Sequence, residues 1–255
     1  MKILRCKVNV ANIMKMPDHK SELHTQIFYG DFAALAGHSG SQWIKIETDD
    51  QQTSGWVLQS QCDEVTQDRI PSTKHILFGH HGQINLRSAT IPLLSGTFVE
   101  NVADLSLLQD TALLPTDKLT FDDGYKMKVL NSFLHAPYLW GGCSIYGIDC
   151  SGLSKMFYRF FNLPLPHLAS AQMEMGVVLD FLSNAVCGDL AFFENDQGEI
   201  NHVGILLNDH EIIHASEGNG RVTTDLIDHQ GIISKTSGKR THQLRLIKRL
   251  NEISQ

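Results

Sequence analysis

The chain has 255 residues, of which 42% are hydrophobic and 19% charged, a globular composition that excludes a disordered or collagen-like chain. The formal net charge of -7 disfavours nucleic acid and anionic membrane surfaces, and we expect neither partner. No segment approaches the roughly 20 consecutive apolar residues of a membrane span. The first residues contain no unbroken apolar run of signal-peptide length, so we expect a cytoplasmic location.

The first half of the chain is predicted to consist of β-strands. In residues 1–65, Val8 and Val10 alternate with polar residues, and a glycine turn precedes the apolar run 56–58. Short strands at this spacing are typical of a small β-barrel. Residues 66–118 show the same pattern of short strands and turns less clearly, and they are predicted to form a second β-rich domain.

The pattern changes near residue 119, and residues 119–255 are predicted to form an α+β domain. Apolar residues at helical spacing predict helices over 119–134 and 153–161, separated by a glycine-rich loop. The segments that read as strands are 190–193, 203–207, 211–214 and 244–247. Helices followed by an antiparallel sheet are expected to pack in two layers.

The five cysteines show no pattern of disulfide or zinc binding, because their number is odd and no CxxC pair exists. Four of them are predicted to be small buried apolar residues. No acidic or histidine cluster has ligand spacing, so no metal or other cofactor is expected. His80 and His81 are adjacent and would point apart in a strand, and we interpret them as surface residues.

Cys150 is the candidate nucleophile because it stands at the predicted start of a helix. Unpaired amides and the helix dipole favour a thiolate there, and Asp149 is a plausible N-cap. His202 and His214 lie in two neighbouring strands of a predicted hairpin, so their side chains could lie side by side. One could take the thiol proton and the other could orient it. The residues alone leave a purely structural interpretation open.

Five segments in this order strongly resemble a known family: PYLWGG at 137–142, GIDCSGL at 147–153, GDLAFF at 188–193, NHVGI at 201–205 and IHAS at 213–216. They resemble the NlpC-type peptidases, papain-like enzymes that cut bacterial cell-wall peptides, over about residues 119–250. The resemblance implies a papain-like fold, in which a helix bearing the cysteine packs on an antiparallel sheet bearing the histidines.

The same resemblance implies roles for single residues. Cys150 would be the nucleophile, His202 the general base and His214 the third polar member of the triad. The residues that it places at the substrate are Tyr138, Asp149 and Ser151.

The N-terminal segments are similar to bacterial SH3-like domains, through VNV at 8–10, SEL at 21–23, YGD at 29–31 and GWV at 55–57. The resemblance implies an SH3-like barrel over residues 1–65, and residues 66–118 would form a second SH3-like or other β-rich domain. Bacterial SH3-like domains accompany peptidases similar to dipeptidyl-peptidase VI. This resemblance implies hydrolysis of the γ-D-glutamyl bond to L-lysine or meso-diaminopimelate in a small stem peptide with a free N-terminal L-alanine, during cell-wall recycling. It also implies that Glu22 binds the substrate amine.

Two contacts of that family pattern are missing. Where relatives often have an arginine, an acidic residue and a serine before a glutamine, this chain has Leu168 and Ala169 at the acidic and serine positions. Thr53 stands near the place of a tyrosine. Two rival functions stay open: an amidase or acyltransferase on the same thiol scaffold, and a wall-fragment binding protein with weak catalysis.

Overall fold

The computed structural model describes residues 2–48, 53–71, 74–79, 82–86, 89–100, 105–107, 111–116 and 119–250. His80 and His81 lie outside the described residues, so their prediction stays open. The chain divides into two compact units, one of residues 1–119 with 160–162 and one of residues 120–159 with 163–255. Boundaries at 65 and 118, which would give three domains, remain a prediction.

The first unit begins with an antiparallel sheet of seven strands in the order β3-β2-β6-β5-β4-β1-β7. Its strands are β1 (Ile3–Cys6), β2 (Val10–Met14), β3 (Leu23–Phe28), β4 (Phe32–Ser39), β5 (Trp43–Thr48), β6 (Ser54–Leu58) and β7 (Cys62–Val65). Ile27 from one edge strand and Cys62 from the other belong to the same buried core. The sheet therefore curls around a single apolar interior.

The rest of the first unit contains two small antiparallel sheets, ordered β10-β9-β12 and β11-β8-β13. Their strands are β8 (His75–Phe78), β9 (Gly82–Asn85), β10 (Thr90–Leu93), β11 (Phe98–Val99), β12 (Leu105–Leu107) and β13 (Ala112–Pro115). Both sheets contribute to one core, because Leu77 of β8 and Ile84 of β9 are buried in the same cluster. The described residues of this region form β-strands, as the sequence predicts.

The second unit carries three helices and nine strands among its described residues. The helices are α1 (Asp123–Phe133), α2 (Cys150–Arg159) and α3 (Ala169–Met173). The strands are β14 (Cys143–Ser144), β15 (Gly147–Ile148), β16 (Val177–Leu179), β17 (Leu190–Glu194), β18 (Ile200–Leu206), β19 (Glu211–Ser216), β20 (Arg221–Asp228), β21 (Gly231–Ile233) and β22 (Arg240–Arg249).

Six strands of this unit form a closed ring, because β17 to β21 pair in sequence order and β22 pairs with both β17 and β21. Strand β16 adds to the outside edge of β22. Phe193, Leu206, Ile212 and Ile227 come from four successive strands and share one core, so the ring encloses an apolar interior. The sequence predicted four of these strands and missed β20 and β21.

Aspartate side chains cap the starts of α1 and α2. Helix α1 starts at Asp123, later than predicted, because Asp122 accepts a hydrogen bond from the backbone N–H of Tyr125 at 3.0 Å. Helix α2 starts at Cys150, three residues before the apolar pattern and directly after the predicted cap at Asp149, and it packs against β18 and β19. Among the described helices, none is long and apolar enough to cross a bilayer.

Candidate active site

Asp149 organises the start of α2. Its carboxylate accepts hydrogen bonds from the backbone N–H groups of Gly141 (2.7 Å) and Gly152 (2.6 Å) and from the Ser151 hydroxyl (3.0 Å). Nε2 of His167 lies 3.2 Å from the same carboxylate. Burial raises the pKa of Asp149, but His167 and the N–H groups outweigh burial and lower it. The N-cap prediction is confirmed, and this carboxylate ties the glycine-rich loop to the helix.

Two glycines let the loop and the helix approach closely. A Cβ atom at Gly152 would lie 2.1 Å from the carbonyl oxygen of Gly142, and one at Gly142 would lie 2.3 Å from the carbonyl oxygen of Gly147. Neither position has room for a side chain. The glycines of the two motifs around residues 142 and 152 therefore serve to bring the backbone of the loop against the first turn of α2.

Cys150 is buried at this first turn, and its sulfur lies against strand β18. The backbone N–H groups of Val203, Ser151 and Cys150 itself interact with the sulfur and favour its ionisation. Burial, and after it the charge of Asp149, outweigh these groups and raise the pKa of Cys150 to about 12. The expected lowering of this pKa at a helix start is therefore wrong for the resting protein, in which the thiol keeps its proton.

The two predicted histidines lie side by side on the inner face of the ring. Strands β18 and β19 pair with Ile205 opposite Ile213, and this register places Gly204 beside His214. A Cβ atom at Gly204 would come within 3.2 Å of the Cβ atom of His214 and closer still to Ile212. The missing side chain at Gly204 leaves room for the ring of His214 to reach His202.

The histidines belong to a chain of hydrogen bonds that ends on an aspartate. Nε2 of His202 lies 2.8 Å from Nδ1 of His214, and Nε2 of His214 lies 3.1 Å from Oδ2 of Asp225. A carboxylate only accepts, so His214 donates from Nε2 and accepts at Nδ1, and His202 donates from Nε2. This assignment leaves Nδ1 of His202 as the proton acceptor. The sequence analysis missed Asp225 because it missed β20.

Asp225 is held from both sides. Its second oxygen, Oδ1, accepts a hydrogen bond from the backbone N–H of Lys235 at 2.7 Å. Burial raises the pKa of Asp225, but the hydrogen bonds from His214 and Lys235 outweigh it and lower the pKa. The residue is therefore an ionised carboxylate, almost completely buried, at the end of the histidine chain.

His202 itself is enclosed by rings. Phe193 lies with its ring centroid 5.7 Å away, and His242 is stacked on His202 with centroids 4.1 Å apart at 25°. Burial, then the charges that His242 and His214 would carry, lower the pKa of His202 well below its ordinary value. His202 is therefore neutral at rest. No sequence signal points to His242, which reaches the imidazole of His202 through the pairing of β22 with β17.

The structure places Tyr138 near the thiol, whereas Ser151 and Asp149 are engaged in a hydrogen bond with each other. Tyr138 is half-buried, and burial followed by the charges of Cys150 and Asp149 raises its pKa, which puts it in the electrostatic range of the thiol. The hydroxyl of Ser151 and the carboxylate of Asp149 are bound to each other. Their roles toward substrate stay predictions.

Glu22 lies in the first unit, where it forms an ion pair with Lys15 at 2.9 Å, both side chains nearly half exposed. Leu168 is exposed at the N-terminal end of α3 in the second unit. Thr53 is buried, and its carbonyl oxygen accepts hydrogen bonds from the backbone N–H and hydroxyl of Thr48. The role of Glu22 as an amine ligand stays a prediction.

Cys143 is more than the small apolar residue that the sequence predicted. Its sulfur lies 3.7 Å from Nδ1 of His167, whose other nitrogen faces Asp149. Burial lowers the pKa of His167, but Cys143 and Asp149 outweigh it and raise the pKa to about 9. Cys143 and Asp149 contact different nitrogens of the His167 imidazole, so these three side chains do not converge on a common point. Among the described residues, no group of three or more histidine, cysteine or acidic side chains is arranged to hold a metal ion.

A buried thiol at a helix start lies against the strand that carries His202, and His202 is linked through His214 to the buried carboxylate of Asp225. Cysteine hydrolases use sites of this kind. A solved structure of an NlpC/P60 family protein from Bacillus cereus has the same fold, with a TM-score of 0.76 at 19% identity over 97% of this chain and 99% of that one. A second one, an NlpC/P60 endopeptidase from Photobacterium damselae, has a TM-score of 0.63 at 16% identity over 96% of this chain and 66% of that one.

The sequence comparisons agree with the fold. Residues 135–241 match the NlpC/P60 family. Dipeptidyl-peptidase 6 of Lysinibacillus sphaericus is 26% identical over 87% of this chain and 90% of its own length. The γ-D-glutamyl-L-lysine dipeptidyl-peptidase of Bacillus cereus is 29% identical over 58% of this chain, and the match spans only 40% of that relative. The region that holds Cys150, His202 and His214 therefore matches the NlpC/P60 family, and together with the named dipeptidyl-peptidase relatives this match supports a peptidase of the cysteine type.

Proposed function

We propose that the protein hydrolyses the γ-D-glutamyl bond to L-lysine or meso-diaminopimelate in small peptides derived from peptidoglycan. In this proposal Cys150 is the nucleophile, His202 the general base and His214 the residue that orients the base. The observation that carries the proposal is the unbroken chain of hydrogen bonds from Asp225 through His214 to His202. The next residue of the strand after His202, Val203, contacts the Cys150 sulfur through its backbone N–H.

The resting charges determine how the reaction starts. The thiol is protonated and the histidine is neutral, so the proton moves from Sγ of Cys150 to Nδ1 of His202 as the sulfur attacks the γ-carbonyl carbon of D-glutamate. The imidazolium that forms is stabilised through His214 by the carboxylate of Asp225. The backbone N–H of Cys150 is our candidate donor to the oxyanion.

The second half of the reaction returns the site to its first state. The imidazolium of His202 gives its proton to the leaving amine of the diamino acid, the C–N bond breaks, and a thioester to Cys150 remains. His202 then takes a proton from water, whose oxygen attacks the thioester carbonyl. Cys150 leaves with the proton from His202, and the dipeptide acid is released.

The finer fold assignments belong to the same proposal. Packing of α2 on β18 and β19 supports a papain-like arrangement, since the cysteine and both histidines then come from the packed elements. The curled sheet of β1 to β7 around one core supports an SH3-like barrel. We also propose action on recycled wall peptides in the cytoplasm, with a free N-terminal L-alanine on the substrate.

The test is cleavage of L-Ala-γ-D-Glu-L-Lys and of its N-acetylated form, with lysine release measured by mass spectrometry. We expect release from the free peptide by the wild type and by Cys187→Ala, a control at another buried cysteine. We expect none from Cys150→Ala.

Equal cleavage of both peptides would contradict the requirement for a free amine. Leu168 and Ala169 lack side-chain groups that could bind that amine. Full activity of Cys150→Ala would overturn the proposed nucleophile. Binding of the peptide without turnover by the wild type would support the binding-protein alternative.

A further inference from the structure

His242 lies in β22, two strands away from the base in the ring order, yet its ring stacks directly on His202. Strand β17 stands between them, with Phe193 opposite His202 on one side and opposite Leu244 on the other. Residues two apart in a strand share a face, so His242 and Leu244 point the same way as Phe193. The two imidazoles therefore meet over the inner face of β17.

The stacking covers one face of the His202 ring. Phe193 lies against His202 at 5.7 Å between ring centroids, and the ring of His214 meets it edge-on at 5.0 Å and 85°. His242 covers a face at 4.1 Å and is itself only half-buried, so its outer side is turned toward solvent. Without it, water would reach the face of His202.

We propose that His242 is a positioning residue for the reaction: its neutral ring shields His202 from water and fixes the plane of the base. The inference rests on the proposed role of His202. The ionisable groups that act on His242 and His202 are His214 from β19 and Asp225 from β20. Asp225 is the anion among them at neutral pH, and it lies behind His214.

The protonation state of His242 agrees with this role. Burial and the neighbouring His214 lower its pKa to about 4, although Asp225 acts in the opposite direction. Nδ1 of His242 lies 2.9 Å from the hydroxyl of Thr241, which fixes the ring plane. A neutral ring can stack on His202 both before and after the base takes its proton, whereas a charged ring would repel the imidazolium.

The experiment compares His242→Ala, which removes the cover, with His242→Phe, which keeps an aromatic ring but cannot titrate. His229→Ala removes an exposed histidine of the same unit and serves as the control. The first readout is kcat/KM for L-Ala-γ-D-Glu-L-Lys between pH 5 and 8.5. The second is the titration of the His202 ring by NMR, which needs no activity.

We expect the fall of kcat/KM at low pH, the acid limb of the pH profile, to occur at higher pH in His242→Ala than in the wild type. The reason is that a solvated imidazole of His202 is protonated more easily than a buried one. The ratio of wild-type to variant activity should grow by about fivefold or more between pH 8 and pH 5.5. His242→Phe and His229→Ala should keep the wild-type limb. The NMR titration of His202 should move in the same direction in His242→Ala and in no other variant.

An unchanged acid limb and an unchanged His202 titration in a folded His242→Ala would overturn the inference. If the acid limb moves equally in His242→Phe, the effect depends on the imidazole of His242 and not on shielding of His202 by an aromatic ring, and the inference fails. Neither result touches the proposed function, which fails instead if Cys150→Ala stays active. Thermal unfolding curves of each variant show that the comparison is made between folded proteins.

Discussion

The carboxylate of Asp225 offers the most direct test of the hydrogen-bond chain. The substitution Asp225→Asn keeps the size of the side chain and removes its charge. Two hydrogen bonds, of 3.1 and 2.8 Å, and one imidazole ring separate the carboxylate from Nε2 of His202. A unit charge at about 8 Å stabilises the imidazolium by about 2 kcal/mol at an effective dielectric constant of about 20. Its loss alone lowers the rate by about 30-fold.

A change in the tautomers of His214 and His202 makes the loss of activity in Asp225→Asn larger. The backbone N–H of Lys235 requires an acceptor at Oδ1 of residue 225, so the amide oxygen of the variant will take that place. The NH₂ group then faces His214 and donates to its Nε2, which reverses every donor along the chain. Nδ1 of His202 would carry a proton and could no longer accept one from Cys150. Loss of a general base costs about 10²–10⁴-fold, so we expect kcat/KM to fall within or near that range.

The assay is lysine release from L-Ala-γ-D-Glu-L-Lys at several pH values, since a reversed tautomer is not restored by raising the pH. Asp228→Asn is the matched control, because it makes the same change in the same strand at an exposed carboxylate paired with Arg240. This control should keep wild-type activity. A folded Asp225→Asn enzyme within about threefold of wild type in kcat/KM would refute the reasoning.

Two further predictions concern stability and packing. Arg249→Met removes the partner of Asp189, a carboxylate that is 2% exposed and bound by two guanidinium nitrogens at 2.8 and 2.7 Å, so thermal or urea unfolding should show a loss of about 3–5 kcal/mol. Arg240→Met breaks an exposed pair and should cost less than about 1 kcal/mol, and equal losses in the two variants would contradict this account. Gly204→Ala places a methyl group against the third member of the proposed triad, so lysine release should fall at least about tenfold in a folded protein, whereas Gly218→Ala, which meets open space, should remain active.

Two local features around the candidate nucleophile can be predicted from the sequence. A helix that begins at Cys150 follows from an aspartate that can cap it, and the structure shows that cap between Asp149 and Gly152. The hairpin that aligns His202 with His214 follows from two strands joined by a polar turn. Caps and hairpins depend on neighbouring residues, and so the sequence can indicate them.

The remaining members of the site come from distant parts of the chain. Asp225 and His242 reach the base through the closure of the strand ring, and no spacing in the sequence encodes that closure. Cys143 meets His167 in the same way, across a segment that carries the whole of α2. The pKa values of these groups follow from burial and from partners that only the folded chain supplies.

The nucleophile candidate, its cap and the pair of histidines are therefore predictable without the tertiary structure, because short-range capping, turn formation and alternation indicate them. The protonation state of this candidate depends on the folded chain. The fold buries Cys150 beside an ionised Asp149, so the thiol stays protonated until the base acts. It also joins the base to Asp225 and covers it with His242, because residues far apart in the chain meet only when the six strands close around one core.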